Sequence, residues 1–490
     1  MTLFSSFRKR KRGLRHAVAS GLFLVCLAAL GVSGSAVAAG IDAVKLQVNV
    51  PYAFLPLLKG AEGAAFASEK KEGTFPAGRY LDLSFGSGMA LREGLGDGRY
   101  RLLAVTDDGP TCHGPVRKTR DGLIPTRLYL IPGYSPLFVE LTLDLKNRVL
   151  QVTGIRRGSR NSQPYSGIPP KAARSLSLDF HEEPVTTGFS PIEPRGSAIN
   201  PQGIAVTSDG TIWVADASLP SVVRLSNRDF GEVSRAIPGK GLPRFLAWSA
   251  MESGFQGLAQ LPNGRLATTI TPERRADYAV ILLSNPSDWT SRAYVYPKPS
   301  DLDRFSLKAF ASVGDGTLFA VESGETERGK AVSRLVRISF KGADDLSEFP
   351  LRGGSIVDTP LRYLKSEGVT PVRRDFVADL IKAGVDKPIS SLVRIDDVTL
   401  LAVNESHYGV RCRAASGAAL PSLRLSPDGD LMKNGKVLPD EEQAVALHPT
   451  GNSTNAWLLK FPKPFTASRR SSHKGQRRAL SVQRLNGGPS

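Results

Sequence analysis

One local pattern recurs along the chain and constrains its fold more than any other feature. A tight turn built on Asp-Gly, Asn-Gly or a relative leads into a short run of β-branched, aromatic or aliphatic residues. Most of these runs close on an acid or amide. The pattern runs from Gly96-Asp97-Gly98 through Leu102 and Val105 to Asp107-Asp108, and from Asp209-Gly210 through Trp213 and Val214 to Asp216. It returns from Asn263-Gly264 through Leu266 to Thr271, from Asp315-Gly316 through Phe319 and Val321 to Glu322, and from Asp396-Asp397 through Leu400 and Val403 to Asn404-Glu405. Asp-Gly and Asn-Gly supply the positive φ of two-residue hairpins. The apolar runs have the length and β-branched content of buried strands.

The turns at Asp209, Asn263 and Asp315 lie 54 and 52 residues apart, close to the roughly 40–50 residues of a propeller blade. The 82 residues from Asp315 to Asp397 hold an insertion or a further blade. Such repeats cannot bury both faces alone and pack around an axis. The expectation is an all-β chain, a β-propeller of about six or seven blades with insertions. A pair of β-sandwiches is the alternative that hairpin signals alone do not separate. Helical periodicity is scarce, and residues 375–383 make the best short helix.

In a propeller, equivalent strands end on the same face. Asp107, Asp108, Asp216, Glu322 and Glu405, with Asn404, are therefore expected at one mouth of the channel. Crowded carboxylates there would suit a hard cation such as Ca²⁺. The alternative is that each acid caps its own loop. Glu405 and His407 are the candidate catalytic pair, with His407 as general base or phosphate donor. His113 follows the first acidic end in the same way. Arg274 and Arg275 follow the third strand, where a guanidinium can bind an anion in a bidentate manner. Cys112 lies just beyond Asp108 and Cys412 just beyond Glu405. If the ring closes, first and last blades are neighbours, and a Cys112–Cys412 disulfide is expected. In the chain-entropy model so long a loop stabilises by roughly 4–5 kcal/mol.

The N-terminus reads as an export signal. Six basic residues from Arg8 to Arg15 precede an apolar run over residues 17–32 and small residues ending in Ala36-Val37-Ala38. The apolar run is short for a membrane span of roughly 20 residues. Cleavage near residue 38 places the protein in the periplasm or outside the cell, where the two remaining cysteines can pair. The formal net charge is +18. Residues 1–38 and 468–490 each carry six basic and no acidic residues, so +6 belongs to the body. That distribution, with no nucleic-acid module, no Walker or Rossmann fingerprint and no zinc spacing, argues against a nucleic-acid or nucleotide binder. The expected organisation is a signal peptide at 1–38, a lead-in at 39–77, the propeller at 78–467 and a disordered basic tail at 468–490. The tail's charge suits an anionic surface or plain solvation.

Further segments resemble a known family. Asn200-Pro201-Gln202-Gly203-Ile204-Ala205 resembles the Asp-Pro-Glu-Gly-Ile-Ala signature of the secreted phytase-like family labelled "esterase-like activity of phytase". Gly254-Phe255-Gln256-Gly257-Leu258-Ala259 resembles its Gly-Phe-Glu-Gly-Leu-Ala signature. Leu83 to Met89, Ala104 to Pro110 and Leu335 to Asp345 resemble its first blade and a later linking segment. The resemblance spans about residues 78–460. It implies an exported propeller hydrolase acting on a phosphate ester or related small ester, with Ca²⁺ held by acidic clusters. Gln202 and Gln256 stand where the family has glutamates, and Ser390-Ser391 where it has Glu-Gly. Gln202, Gln256, Arg274 and Arg275 are the candidate substrate-binding residues. Glutamine keeps an acceptor oxygen but cannot act as a base. A second reading is therefore a non-catalytic envelope propeller that binds a ligand or partner. A third is a sugar-lactonase-type propeller with one divalent ion.

Overall fold

The structure, a computed structural model, describes residues 40–56, 64–66, 80–120, 122–170, 182–248, 254–271, 277–314, 316–351 and 359–465. The signal peptide and the basic tail expected at the two ends lie outside these residues, as do Arg274 and Arg275.

Each of the five turn-and-strand repeats joins the inner strand of a sheet to its second strand. Blade 1 contains Gly88–Gly96, Arg99–Val105, Leu137–Asp144 and Val149–Arg157, with Gln47–Asn49 added in parallel at its outer edge. Blade 2 contains Pro201–Val206, Ile212–Asp216, Ser221–Leu225 and Glu232–Pro238, with Gly241–Leu242 outermost. Blade 3 contains Gln256–Gln260, Leu266–Ile270, Tyr278–Ser284 and Ser291–Pro297. Blade 4 contains Arg304–Gly314, Thr317–Glu325, Ala331–Ser339 and Arg373–Asp379. Blade 5 contains Ile389–Arg394, Thr399–Asn404 and Ala456–Lys460, and its outer strand is Asp42–Lys45 from the start of the described chain. Each inner strand packs against the next, and the fifth packs against the first. The chain is thus a β-propeller with five blades among the described residues.

The period-two alternation of side chains decides how the blades adhere. Leu102 belongs to the core shared with blade 5, and its neighbour Leu103 to the core shared with blade 2. Ile212 and Val214 face blade 1, whereas Trp213 and Ala215 face blade 3. Both faces of each blade are covered, so these strands read as nearly unbroken apolar runs. The five hydrophobic clusters sit one at each junction between blades.

Five blades among the described residues come close to the expected six or seven, and the long intervals between repeats hold insertions. Residues 340–372, which include the helix Leu361–Ser366, separate the third and fourth strands of blade 4. Residues 375–383, expected as a helix, instead supply most of blade 4's edge strand, Arg373–Asp379, and the turn after it. Pairing to Ala331–Ser339 overrides local helical preference there. Two further insertions leave the ends of second strands. Thr111–Thr119 and Gly122–Tyr129 rise from blade 1, and Val410–Ala414 and Val445–Pro449 from blade 5. Between them Arg424–Leu425 joins Thr111–Thr119 in parallel, and the Cys112–Cys412 disulfide ties the two insertions, with its Cα atoms 6.0 Å apart. No helix of the described residues is long and apolar enough to cross a membrane.

The disulfide closes a loop of 300 residues. Replacing both cysteines by alanine is expected to cost about 2–5 kcal/mol, read as a lower denaturation midpoint. A midpoint unchanged from the oxidised protein would show that the packed insertions hold each other without it.

Candidate functional site

The ring is narrow at its axis because small residues meet there. A Cβ on Gly88 would lie 2.8 Å from the Gly203 backbone, and one on Gly203 would lie 2.5 Å from the Gly257 backbone. Gly257 in turn faces Ala309, and Ser391 lies at the matching place in blade 5. Only about 10 Å³ of space remains between these strands. The glycine of each Gln-Gly signature is therefore a packing requirement of the axis. The residues just before it on the five inner strands are Ser87, Gln202, Gln256, Lys308 and Ser390. Irregular pairing interrupts four of these strands at this level, between Pro201 and Gly203, Gln256 and Leu258, Lys308 and Ala311, and Ile389 and Ser391. Such bulges re-aim side chains at the rims of closed sheets.

Beyond this constriction a cavity of about 480 Å³ opens under the two insertions. Asp107, Asp108, Glu405 and His407 line it on the side of blades 1 and 5, and Gln202, Gln256 and Lys308 on the side of blades 2, 3 and 4. His113 and Arg127 reach its rim, where both contact Glu182, at 2.6 and 3.2 Å. Asp107, Glu405 and His407 each offer an atom within 4.8 Å of the others.

The surroundings push the Asp107 and Glu405 carboxyls in opposite directions. Ser87 Oγ donates to Glu405 Oε1 at 2.7 Å. Asp107 Oδ1 accepts the Gly109 N–H at 3.0 Å and the Tyr408 hydroxyl at 2.9 Å. Burial, then the charges of Glu405 and Asp108, push the Asp107 carboxyl well above the usual range. Burial would raise Glu405 too. The positive charge of the imidazolium form of His407, a hydrogen bond from Asp107, the Lys308 charge and a hydrogen bond from Ser87 outweigh it and hold Glu405 below its usual range. The two shifts run in opposite directions, so Asp107 is the member of the pair that holds a proton more readily, as expected for two like charges held close together. Burial also raises Asp108, against the attraction of Arg127.

The loop that presents His407 is strained. His407 and Tyr408 have φ of 49° and 58°, and Gly409 follows at 68°. Bulky residues in this left-handed region cost about 1–3 kcal/mol each and cluster at functional sites. A Cβ on Gly409 would sit 2.7 Å from the Asp82 carboxylate, so glycine is required there. The outcome is an exposed His407 beside a fully buried Tyr408. Tyr408 Oη also lies 2.9 Å from the Tyr134 hydroxyl, which donates to Thr106.

Asp216 ends the second strand of blade 2, whereas Glu322 lies inside that of blade 4, which runs on to Glu325, and neither lines the cavity. Asp216 accepts from the Asn200 and Ser218 N–H groups and from the Ser218 and Ser221 hydroxyls, and pairs with Arg235 at 2.6 Å. Glu322 is held by Arg374 and the Tyr296 hydroxyl. Both acids are fully buried, and both arginines come from the fourth strand of the same blade. The five-carboxylate cluster expected from the sequence is thus divided. Asp107, Asp108 and Glu405 meet, while Asp216 and Glu322 spend their charge inside blade junctions. Two carboxylates and an imidazole suit one divalent ion of the zinc or manganese kind better than calcium's shell of six to eight oxygens.

Fold and site together define a propeller with an acid–imidazole mouth. The chain belongs to the phytase-like family described as "esterase-like activity of phytase", whose model matches residues 133–401. Asp107, Glu405 and His407 lie just outside that stretch. No curated protein matches the chain. Among solved structures it is similar to virginiamycin B lyase from Staphylococcus aureus, at 9% identity over 73% of this chain and 99% of that one, with a TM-score of 0.25. It is also similar to a gluconolactonase from Xanthomonas campestris, at 10% identity over 78% and 98%, TM-score 0.28. The catalytic domain of an α-L-arabinofuranosidase from Coprinopsis cinerea shares 8% identity over 86% and 97%, TM-score 0.34.

Proposed function

We propose that the protein is an exported phytase-like hydrolase of a small anionic ester, a phosphate ester or a close relative. The observation that carries this reading is the meeting of Asp107, Glu405 and the exposed His407 imidazole within 4.8 Å of one another, with Asp107 pushed up and Glu405 held down, in a cavity sized for a small molecule. His407 takes a proton from the attacking water as general base. Asp107 gives its proton to the leaving oxygen, so one water is consumed and one alcohol released. The proton on His407 then returns to Asp107 past Glu405 and resets the site. Lys308 faces the anionic group, and the amides of Gln202 and Gln256 orient it. A divalent cation, Ca²⁺ included, would be held by Asp107, Glu405 and His407, would displace the Asp107 proton and would supply charge neutralisation and an acidified water.

The test is turnover of a panel of phosphate and carboxylic esters by the purified protein, with chelator and with added Ca²⁺ or Zn²⁺. Hydrolysis of at least one substrate is expected. A protein inactive across the panel in every condition overturns the reading. It would favour a non-catalytic envelope propeller, in keeping with the five axial positions Ser87, Gln202, Gln256, Lys308 and Ser390, none of which carries a carboxylate.

A further inference from the structure

A second cavity, of about 460 Å³, lies beside blade 4 and shares only Lys308 with the described residues that line the mouth. Phe305, Val332, Val385 and Pro388 give it a mostly apolar wall, and Ile381, 47% exposed, stands at its edge. Two hydroxyl oxygens in the wall, Ser323 Oγ and Ser333 Oγ, are buried without a hydrogen-bond partner among the described residues. The two serines are cross-strand neighbours, and Ser333 is only 5% exposed. A desolvated hydroxyl with no partner is unfavourable unless something supplies one. Lys308 lines both this cavity and the mouth. It is the one residue common to the two walls, and its charge reaches Glu405.

We propose that this cavity receives the apolar chain of the substrate, so that the ester is amphiphilic, an anionic head on a hydrocarbon tail. This deepens the hydrolase reading and rests on it for the placement of the head. The head meets Lys308 at the mouth, the chain lies against Phe305, Val332 and Val385, and an ether, ester or hydroxyl oxygen near the head meets Ser323 and Ser333. Apolar walls with a few convergent polar groups are the usual make-up of a small-molecule site.

Binding of n-octyl phosphate and of ethyl phosphate to the full chain, by calorimetry, tests the proposal. Octyl phosphate is expected to bind at least tenfold tighter. Val332→Glu, a change on a half-buried strand position outside the mouth, is expected to abolish that advantage while leaving hydrolysis of short esters unchanged. Equal affinity for both phosphates, or an undiminished preference in Val332→Glu, overturns the proposal even if short esters are hydrolysed. Tight octyl phosphate binding with no turnover of any ester supports the cavity and counts against the hydrolase.

Discussion

Glu405→Gln is expected to cut ester hydrolysis by about 10²–10⁴-fold, the range for loss of a positioned acid–base partner. The amide keeps the volume and can still accept from Ser87 Oγ, now 2.7 Å from Glu405 Oε1, but it carries no charge. Asp107 then loses the charge that, after burial, most raises its carboxyl. Its proton leaves at lower pH, so the alkaline limb of the rate profile moves to lower pH. A kcat/KM within twofold of wild type, with an unmoved profile, would remove Glu405 from the machinery. Asp107→Asn supplies a complementary readout. A carboxyl raised in the folded state lends stability that is fully present at low pH and lost as pH rises through its folded value. Asparagine has no such loss, and can still accept from Tyr408 and Gly109. The variant should therefore gain stability relative to wild type as pH rises above the ordinary carboxylate range, while losing activity.

Arg235→Ala is expected to destabilise the propeller by about 3–5 kcal/mol, the cost of leaving a buried charge without its partner. Arg235 is 9% exposed and Asp216 not at all. The arginine also bonds Glu232, which keeps Arg160 and the Tyr165 hydroxyl as further partners, so its loss falls mainly on Asp216. Adding Asp216→Ala should destabilise by less than the sum of the single changes, because the pair acts as a unit. The denaturant midpoints of the three variants check both statements. A loss below about 1 kcal/mol for Arg235→Ala would place the pair among solvated surface bridges.

The contrast between these sites explains what could be read from the sequence. All five hairpins of the ring were visible, because Asp-Gly and Asn-Gly turns and buried strands are local signals. The facing of Cys112 and Cys412 followed from ring closure. The fate of the strand-end acids did not. Asp216 and Glu322 look like Asp107 along the chain, and what separates them is an arginine on a fourth strand, Arg235 or Arg374, which no periodicity links to them. Lys308 was missed because its strand lacks a Gln-Gly signature, with Ala309 replacing the glycine. Tyr134 and Tyr408 were missed because their polar role exists only once blades 1 and 5 adjoin. The helical reading of residues 375–383 failed for the converse reason, since a nearby strand edge outweighed local preference.

Blade 5 takes its outer strand, Asp42–Lys45, from one end of the described chain and that strand's partner, Ala456–Lys460, from the other. A ribosome delivers the first of these long before the second. The opening strand must therefore wait unpaired while four blades' worth of polypeptide emerges, and the circle can lock only when synthesis is nearly done. Truncation from either side should then damage the same blade, and a chain with its ends fused and a new start cut between blades 2 and 3 would assemble in a different temporal order.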